Sequence, residues 1–448
     1  MRFRLLAGVA VAAPLALLAA CGGGGGSGGP PTGGGGTPAP TPTPSPTPSV
    51  SFSTAGVGAM IAVIDFDTSG DGQFGAGDAS TRTTQQGRFG AGLTTATSGT
   101  LPSAATTRLR ASLGIDAVSG LVYSGMTAPA GATVVTPLTS VIDSGVSEQT
   151  LRAAMELDRG IEALRPATGL LTFDPVSNLS SSDSAIAADA ARLTSVNLQL
   201  LALAAVAKNT NGDPVDFGVP LEESSRYLAQ VIAAGGSGRL TDPAVVRAVL
   251  DRSREAQGRP AAQLDAMSAL LARYFASLPL RVNNTDSARG WAYAFRFFVF
   301  PELKILGAQW PNPEATRIAA ISEADMRDQA NRFAALAAPV VGNFMAAPDY
   351  RELNAFSPTP YLLSLSGCSN IATRSPACND WRLFQGQDGA QVVSVGNFNP
   401  ARISVSVGGD GSVLLGRASS YTGTASFTYV SRSQNGEEST GFVFVTVR

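Results

Sequence analysis

A chain of 448 residues is too long for one typical hydrophobic core, so we expect two to four domains. Its composition, 44% hydrophobic and 15% charged residues, excludes a largely disordered chain. The formal net charge is −2 and no basic run could follow a phosphate backbone, so we expect no nucleic-acid partner. The sequence has no histidine, which excludes Ser-His-Asp and Cys-His catalysis as usually built, together with His-ligated zinc and haem.

The N-terminus has the pattern of a secretory signal peptide. Arg2 and Arg4 form a short positive region, and the apolar stretch from Leu5 to Ala20 is short for a helix that spans a bilayer. The stretch ends in "LLAAC", with Cys21 directly after two alanines. We therefore predict a signal peptide over residues 1–20 that takes no part in the mature fold.

The residues around this cleavage site resemble a bacterial lipobox, carried by Leu18, Ala19, Ala20 and Cys21. The resemblance implies that Cys21 carries lipid, such as palmitate, and becomes the first residue of the mature chain. Gly22 stands where an Asp would favour the inner membrane, so the resemblance implies an outer-membrane lipoprotein of a diderm bacterium. The alternative is an ordinary small-residue cleavage site that happens to precede a cysteine.

Residues 21–50 predict a tether. The first half is a flexible Gly/Ser chain, and the second half alternates Pro with Thr or Ser and should be extended, near polyproline II. Neither half can bury a core. We expect a flexible joint followed by a stiffer spacer, which would hold a folded body away from a membrane.

The stretch "DFDTSGDGQFGAGDAS", from Asp65 to Ser80, has the spacing of a twelve-residue calcium loop. Side chains at the first, third and fifth positions converge on one point, and Gly72 permits the sharp turn. Only about three carboxylates would face the ion, so we expect a structural ion bound weakly, on the order of 10⁻⁴ to 10⁻³ M. The alternative is a solvated surface turn. The predicted Ca²⁺ ligands are Asp67, Ser69, Asp71, Gln73 through its carbonyl, and Asp78.

Strand-like runs flank this loop, "GAMIAVIDFD" before it and "TRTTQQGRFGAGL" after it. The arrangement over about residues 52–128 resembles Cna B-type and SdrD B-like modules of bacterial surface proteins, and the loop alone resembles half of a dockerin. The resemblance implies a prealbumin-like β-sandwich, which we assign to residues 51–135. Those modules usually carry an acidic residue at the position of Gly75. This difference weakens the prediction of a metal site more than it weakens the prediction of the fold.

Helical patterns dominate residues 136–346 and predict an α-helical bundle. The stretch "TAPAGATVVTPLT" before them resembles a segment that leads from such β-modules into helices in proteobacterial exported proteins. Ser147 and the pair Asp242-Pro243 have the chemistry of helix starts. The run "SAIAADAARLTSVNLQLLALAAVAK" places apolar residues at helical spacing.

Aromatic residues concentrate in "GWAYAFRFFVFPELKILGAQW" within this bundle. One interpretation is a buried segment that anchors the core. The other is an aromatic platform for a sugar or a lipid, built from Trp291, Tyr293 and Trp310. Arg296, Pro301, Glu302 and Lys304 interrupt the run and argue against a membrane span.

Residues 347–448 alternate apolar and polar residues between Gly-rich turns and predict a β-domain. The ending "GTASFTYVSRSQNGEESTGFVFVTVR" resembles the last hairpin of bacterial Ig-like and cadherin-like domains. The resemblance implies an Ig-like β-sandwich that stacks or binds rather than catalyses. Cys368 and Cys378 form an even pair if Cys21 carries lipid, and an even pair in an exported protein predicts a disulfide.

These segments together predict a multidomain α+β protein with an N-terminal β-sandwich, a central α-helical bundle and a C-terminal Ig-like β-sandwich. We expect a non-enzymatic, lipid-anchored envelope protein, an adhesion or matrix-anchoring scaffold whose partner is a polysaccharide or another envelope protein. We predict no catalytic residues. Two alternatives stay open: a periplasm-facing assembly or secretion accessory, and a glycan hydrolase working through two carboxylates, for which Glu302 and Asp380 are the candidates.

Overall fold

The computed structural model describes residues 51–447, with gaps at residues 85, 91–92, 94–96, 103–105, 120–121, 209–218, 254–257, 309, 312, 336–348, 354–360, 364–390, 419–420, 433–435 and 437. The predicted signal peptide, the tether and all three cysteines, Cys21, Cys368 and Cys378, lie outside the described residues, so lipidation and the disulfide stay predictions. Helices and β-sheets are both extensive within the described residues, which confirms the α+β class.

Short strands occupy the first part of the described chain and form two sheets. They are β1 (Phe52–Thr54), β2 (Met60–Phe66), β3 (Ala79–Arg82), β4 (Arg88–Phe89), β5 (Thr97–Ser98), β6 (Leu109–Asp116), β7 (Val122–Ser124), β8 (Met126–Ala128) and β9 (Val134–Val135). One sheet has the order β4-β1-β9, in which β1 is antiparallel to β4 and parallel to β9. The other has the order β7-β6-β2-β3-β5, and β8 also pairs with β6.

The alternation of β2 explains how the two sheets pack. Every second residue of "MIAVIDF" is buried, from Met60 to Phe66, and the residues between are partly exposed. The ring of Phe66 meets the rings of Phe52 and Phe89 edge to face, with both centroid distances 5.9 Å. These aromatic contacts join the apolar faces of the two sheets.

Helices follow from residue 137, where the sequence predicts the change from strand to helix. They are α1 (Pro137–Asp143), α2 (Glu148–Ala154), α3 (Pro175–Asn178), α4 (Ser184–Lys208), α5 (Leu221–Ala233), α6 (Pro243–Arg252), α7 (Ala261–Ser277), α8 (Thr285–Ala294), α9 (Phe300–Ala308), α10 (Ala315–Ala319) and α11 (Glu323–Ala334). The predicted caps are confirmed, because the side chains of Ser147 and Asp242 accept hydrogen bonds from the first-turn amides of α2 and α6. Strand β10 (Val219–Pro220), before α5, pairs with β7 and so extends the second sheet.

Helix α4 is the central helix of the body. Among the described residues it is the one helix long and apolar enough to cross a membrane, with a mean hydropathy of 1.4 over its most apolar window, and 94% of that window is buried inside the protein. It contacts α1, α3, α5, α6 and α8. A helix surrounded by other elements needs no polar face, which explains its apolar composition.

The hydrophobic core does not stop at the predicted boundary at residue 135. Ile64 of β2, Leu201 of α4 and Tyr293 of α8 belong to one continuous cluster of buried residues. Strands and helices up to residue 333 therefore share one core, in which α1 contacts β8 and β9 and α5 contacts β7 and β8.

Strands return after the helices and enclose a second core. They are β11 (Asp349–Leu353), β12 (Tyr361–Leu363), β13 (Gln391–Gly396), β14 (Ile403–Val407), β15 (Val413–Arg417), β16 (Gly423–Arg432) and β17 (Glu438–Val447). A four-stranded sheet has the order β11-β17-β16-β13, and a three-stranded sheet has the order β12-β15-β14. Leu415 and Phe427 belong to the cluster between them. The predicted last hairpin is confirmed as β16–β17, whereas the Ig-like topology stays a prediction.

Strand β17 joins the two cores, because its two faces are buried against different partners. Val443, Val445 and Val447 belong to the second core. Phe442 and Phe444 point the other way. Phe442 belongs to the first core, and Phe444 packs against it. The period-two alternation of "FVFV" thus docks the C-terminal sheets onto the helices.

Candidate functional site

The predicted calcium loop, residues 67–78, folds as a closed turn between β2 and β3. Asp67 is only 6% exposed, and its two carboxylate oxygens accept hydrogen bonds from the amides of Gly70 at 2.8 Å and Gly72 at 3.0 Å. Gly72 has a φ of 79°, the left-handed conformation that the sequence predicts for this position. The carboxylate of Asp67 is therefore occupied by the backbone of its own loop.

Asp78 and Asp71 are bound in the same way. Asp78 accepts from the amides of Ser69 and Gly75, both at 3.0 Å, and these hydrogen bonds lower the pKa of Asp78 below its usual value. Asp71 accepts from the amide of Gln73 at 2.8 Å. Each of the three predicted carboxylate ligands thus closes a local turn.

A guanidinium group already lies against this loop. Arg108 donates from Nη1 to the carbonyl of Gly72 at 2.9 Å, and its other nitrogens bind the carboxylate of Asp143 at 2.7–2.9 Å. The ion pair with Asp143 raises the pKa of Arg108. The ring of Phe74 lies near both Arg108 and Arg110, at 5.1 and 4.6 Å from their guanidinium carbons.

The present arrangement does not fit a calcium shell of six to eight oxygens. Within the described ranges, no group of three or more Asp, Glu, His or Cys residues is gathered in a geometry that could hold a metal ion. Calcium at residues 67–78 stays a prediction. The amide hydrogen bonds of Asp67 and Asp78 do not exclude it, because each carboxylate oxygen has two lone pairs.

The predicted aromatic platform lies largely inside the protein. Trp291 and Tyr293 of α8 are 5% and 0% exposed, and Trp310 packs against the same core while staying partly exposed. The ring of Tyr293 lies 4.9 Å from that of Phe442 on β17. This placement agrees with the interpretation of the segment as a core anchor, because α11 and β17 cover the face on which a ligand would stack.

The helix that carries these aromatics widens into one π-helical turn at Phe295–Val299. Pro301 follows two residues later, near the start of α9. Proline has no amide hydrogen and its ring crowds the carbonyl four residues before it, so a local change of hydrogen-bond pattern lets the chain continue as a helix. The sequence signal for this turn is the proline inside a helical pattern.

Asp116, at the end of β6, is a fully buried carboxylate that sequence analysis did not single out. One oxygen accepts from the amides of Val57 and Gly58, both at 2.8 Å, and the other from the amides of Val118 and Ser119 at 3.0 and 2.7 Å. Burial raises the pKa of Asp116, although the hydrogen bonds from Gly58, Val118 and Ser119 oppose the rise. The carboxylate ties two chain turns together and offers no free oxygen to a ligand.

A groove of about 410 Å³ lies between the turn after α2, helix α4 and the segment before α6. Its floor includes Met155, Val196 and Leu240, and its rim carries Ile161, which is 93% exposed, and Leu280, which is 53% exposed. This volume is within the range of small-molecule sites. Sequence analysis did not predict the groove, because its residues come from four separate stretches of the chain.

Arginines outnumber acids around this groove. Glu156 lies 3.9 Å from Arg159 and 3.6 Å from Arg239, so two guanidinium groups share one carboxylate. The Nε of Arg281 lies 2.5 Å from Glu162, in an ion pair whose atoms are not aligned for a hydrogen bond.

Arg192 of α4 also lines the groove, and its Nη1 approaches the carbonyl of Leu280 at 3.4 Å. Its Nε is buried with no hydrogen-bond partner, and burial lowers the pKa of Arg192. The one sequence signal for the groove is this arginine in the mostly apolar helix α4.

Comparison with known proteins assigns no family to the chain. No match is found among models of known protein families, among curated proteins or among solved structures. The resemblances to surface-protein modules therefore stay predictions, and function has to be argued from the sequence and the geometry of this protein.

Proposed function

We propose that this protein is a non-enzymatic, lipid-anchored scaffold of the bacterial cell envelope, which holds a folded body away from the outer membrane for adhesion or matrix anchoring. The observation that carries the proposal is the way the predicted tether enters the fold. The Pro-rich sequence ends at Val50, and β1 begins at Phe52 in the middle of a sheet, with β4 on one side and β9 on the other.

The hydrogen bonds of β1 suit a strand that carries load. On one side, the amide of Ser53 donates to the carbonyl of Thr133, just before β9, and the amide of Ala55 donates to the carbonyl of Val135 in β9, both at 3.0 Å. On the other side, the amide of Thr54 donates to the carbonyl of Gly87 at 2.9 Å. A pull along the axis of β1 loads these hydrogen bonds together in shear, because neighbouring strands hold it on both sides. A terminal strand at a sheet edge would have such hydrogen bonds on one side only.

The other end of the described chain is held in the same way. Strand β17 lies between β11 and β16, with a parallel partner on one side and an antiparallel partner on the other. Both ends of the folded body therefore leave from inner strands, as expected of a module that transmits force or is stacked in an array.

The finer architecture belongs to this proposal. Residues 51–135 would be the β-sandwich related to Cna B-type modules, residues 136–346 the helical bundle, and residues 347–448 the Ig-like sandwich that presents a binding surface to a polysaccharide or an envelope protein. The shared core of the first two supports one rigid unit next to the membrane and one β-domain beyond it.

The hydrolase alternative has less support from the geometry. Glu302 is buried, and both of its oxygens are bound by Arg317, at 3.0 and 2.6 Å. Its carboxylate is therefore held by a guanidinium group inside the protein and is not open to a substrate. Asp380, the other candidate, lies outside the described residues.

The anchor is tested first, in cells that make the full chain. We expect the protein to fractionate with the outer membrane and to carry acyl groups on Cys21, detected by mass spectrometry of the N-terminal peptide. The variant Cys21→Ser should lose both properties, and retention of membrane fractionation by that variant would contradict the lipid anchor. External protease should digest the protein on intact cells if it faces outward, and resistance would favour the periplasm-facing accessory.

The load-bearing role is tested by single-molecule force spectroscopy on the full chain, pulled through its two ends. Ser53→Pro removes the amide that donates to Thr133 and should lower the unfolding force. Ser51→Pro is the matched control, since Ser51 precedes the strand and is exposed. Equal unfolding forces for the two variants would contradict the proposal that β1 carries the load.

A further inference from the structure

The groove lined by Arg192, Ile161 and Leu280 combines two features that are unfavourable when no ligand is bound. Arg192 holds a guanidinium group that is partly withdrawn from water, with no described carboxylate within ion-pair distance and a buried Nε that donates to nothing. A buried donor without an acceptor is destabilising relative to a paired one. An anion in the groove would approach the exposed part of this guanidinium group and offset its charge.

The second feature is apolar. Among the described residues, the large hydrophobic side chains with more than about a third of their surface exposed are Leu93, Ile161, Leu280 and Val393. Two of these, Ile161 and Leu280, lie on the rim of the same groove as Arg192. Exposed apolar groups gathered at a concave site are typical of ligand-binding surfaces, whereas scattered ones need no explanation.

The groove is also held in shape by its backbone. Glu156 has a φ of 54°, a left-handed conformation that is uncommon for residues other than glycine. This conformation places its carboxylate between Arg159 and Arg239, which it shares. Glu156 ends helix α2 in the usual left-handed way: its amide donates to the carbonyl of Ala153, and the amide of Leu157 donates to the carbonyl of Arg152.

The charged residues around the groove favour an anionic ligand. Three arginines, Arg159, Arg192 and Arg239, and two acids, Glu156 and Glu162, line the groove, and each acid is already bound by an arginine other than Arg192. The local excess is positive, and Arg192 is the cation whose charge is least compensated. A planar carboxylate is a good partner for a guanidinium group, since both of its oxygens can accept.

We propose that this groove binds a small organic carboxylate with an aliphatic body, of the class of a medium-chain fatty acid. The carboxylate would pair with Arg192, and the aliphatic chain would lie between Ile161 and Leu280 over the floor of Met155, Val196 and Leu240. The rim is aliphatic rather than aromatic, which favours an alkyl chain over a sugar ring. This site lies apart from the predicted calcium loop and does not depend on the lipid anchor.

The test is isothermal titration calorimetry of the purified full chain with decanoate below its micelle concentration. Decanol has the chain without the charge, decyltrimethylammonium has the opposite charge, and acetate has the charge without the chain. We expect decanoate to bind and to bind more tightly than all three. No binding of decanoate at millimolar concentration, or equal binding of decanol or decyltrimethylammonium, would overturn the proposal.

Variants locate the site. Arg192→Gln should weaken decanoate binding by about 10- to 100-fold, the range for a lost hydrogen bond to a charged group. Ile161→Ser should weaken it less, and because Ile161 is 93% exposed this variant keeps its fold. The controls are Arg327→Gln on α11 and Val393→Ser on β13, an exposed arginine and an exposed valine away from the groove. If Arg192→Gln does not fold, Ile161→Ser decides alone: unchanged affinity in that variant refutes the site.

Discussion

The aromatic contacts of Phe442 hold the C-terminal sheets against the helices. Replacing Phe442 by Ala measures how much these contacts contribute to the free energy of unfolding. Its ring lies 4.9 Å from that of Tyr293 and 5.8 Å from that of Phe297, and the side chain is 5% exposed. A Phe-to-Ala change at a buried position costs about 3–5 kcal/mol, since it combines lost burial with a cavity. We expect Phe442→Ala to lower the free energy of unfolding by that amount.

The measurement is urea unfolding of the full chain, followed by circular dichroism and by tryptophan fluorescence. If the joint couples the two cores, the parent protein unfolds in one transition, and Phe442→Ala separates it into two, with the C-terminal sheets unfolding first. Phe442→Leu keeps most of the apolar volume and should lose less than the Ala variant.

The neighbouring residue provides the matched comparison. Val443 points to the opposite face of β17, into the second core, and is fully buried. Val443→Ala should destabilise the C-terminal sheets without separating the two transitions, because the joint to the helices is intact. If Phe442→Ala lowers the free energy of unfolding by less than about 1 kcal/mol, Phe442 does not hold the C-terminal sheets against the helices, because so small a loss is typical of a surface substitution.

Three further predictions follow from individual carboxylates. Asp116→Asn should destabilise the protein by about 2–6 kcal/mol in thermal or urea unfolding, because the amide group that replaces one oxygen would face two backbone donors; a neutral effect would refute the role given to Asp116. The pKa of Asp78 is lower in the folded protein than in the unfolded chain. The ionised side chain therefore stabilises the fold fully at pH values above its unfolded-state pKa, and this stabilisation is lost as the pH falls through the folded-state pKa. Amide NMR shifts of its two donors, Ser69 and Gly75, should report that titration below the usual Asp range, and a midpoint at or above the usual value would contradict it. Calcium should raise the melting temperature only at millimolar concentration, and Asp71→Ala should abolish the rise; a mutant with the full response would remove the loop as the site.

Local chemistry made parts of this fold predictable. Ser147 and Asp242 cap helices because their oxygens reach first-turn amides a few residues away, a contact that is written in the sequence itself. Gly72 takes its positive φ for the same local reason. The last hairpin follows from alternation and a turn between two long strands.

Contacts between distant residues were not predictable in this way. The pattern of "VFVTV" indicates that Val443 and Val445 face a core, but it gives no sign that Phe444 faces Phe333, 4.8 Å away on a helix more than a hundred residues earlier. The groove at Arg192 has the same origin, since its lining comes from segments that only the packing of α4 brings together. Single side chains at such sites look unremarkable in sequence because their partners are set by tertiary structure.

The shared core has a consequence for how the proposed tether would work. Phe52 of β1 belongs to the same buried cluster as Leu201 of α4 and Tyr293 of α8, so removing β1 would uncover part of this shared core, beginning with the rings of Phe66 and Phe89 that Phe52 contacts. A pull on the tether is then opposed by the burial energy of the whole body and not only by the hydrogen bonds of one strand. A first module with a separate core would yield alone and lengthen the tether. With a continuous core we expect the body to yield as one unit, which would suit the proposed lipid-tethered protein.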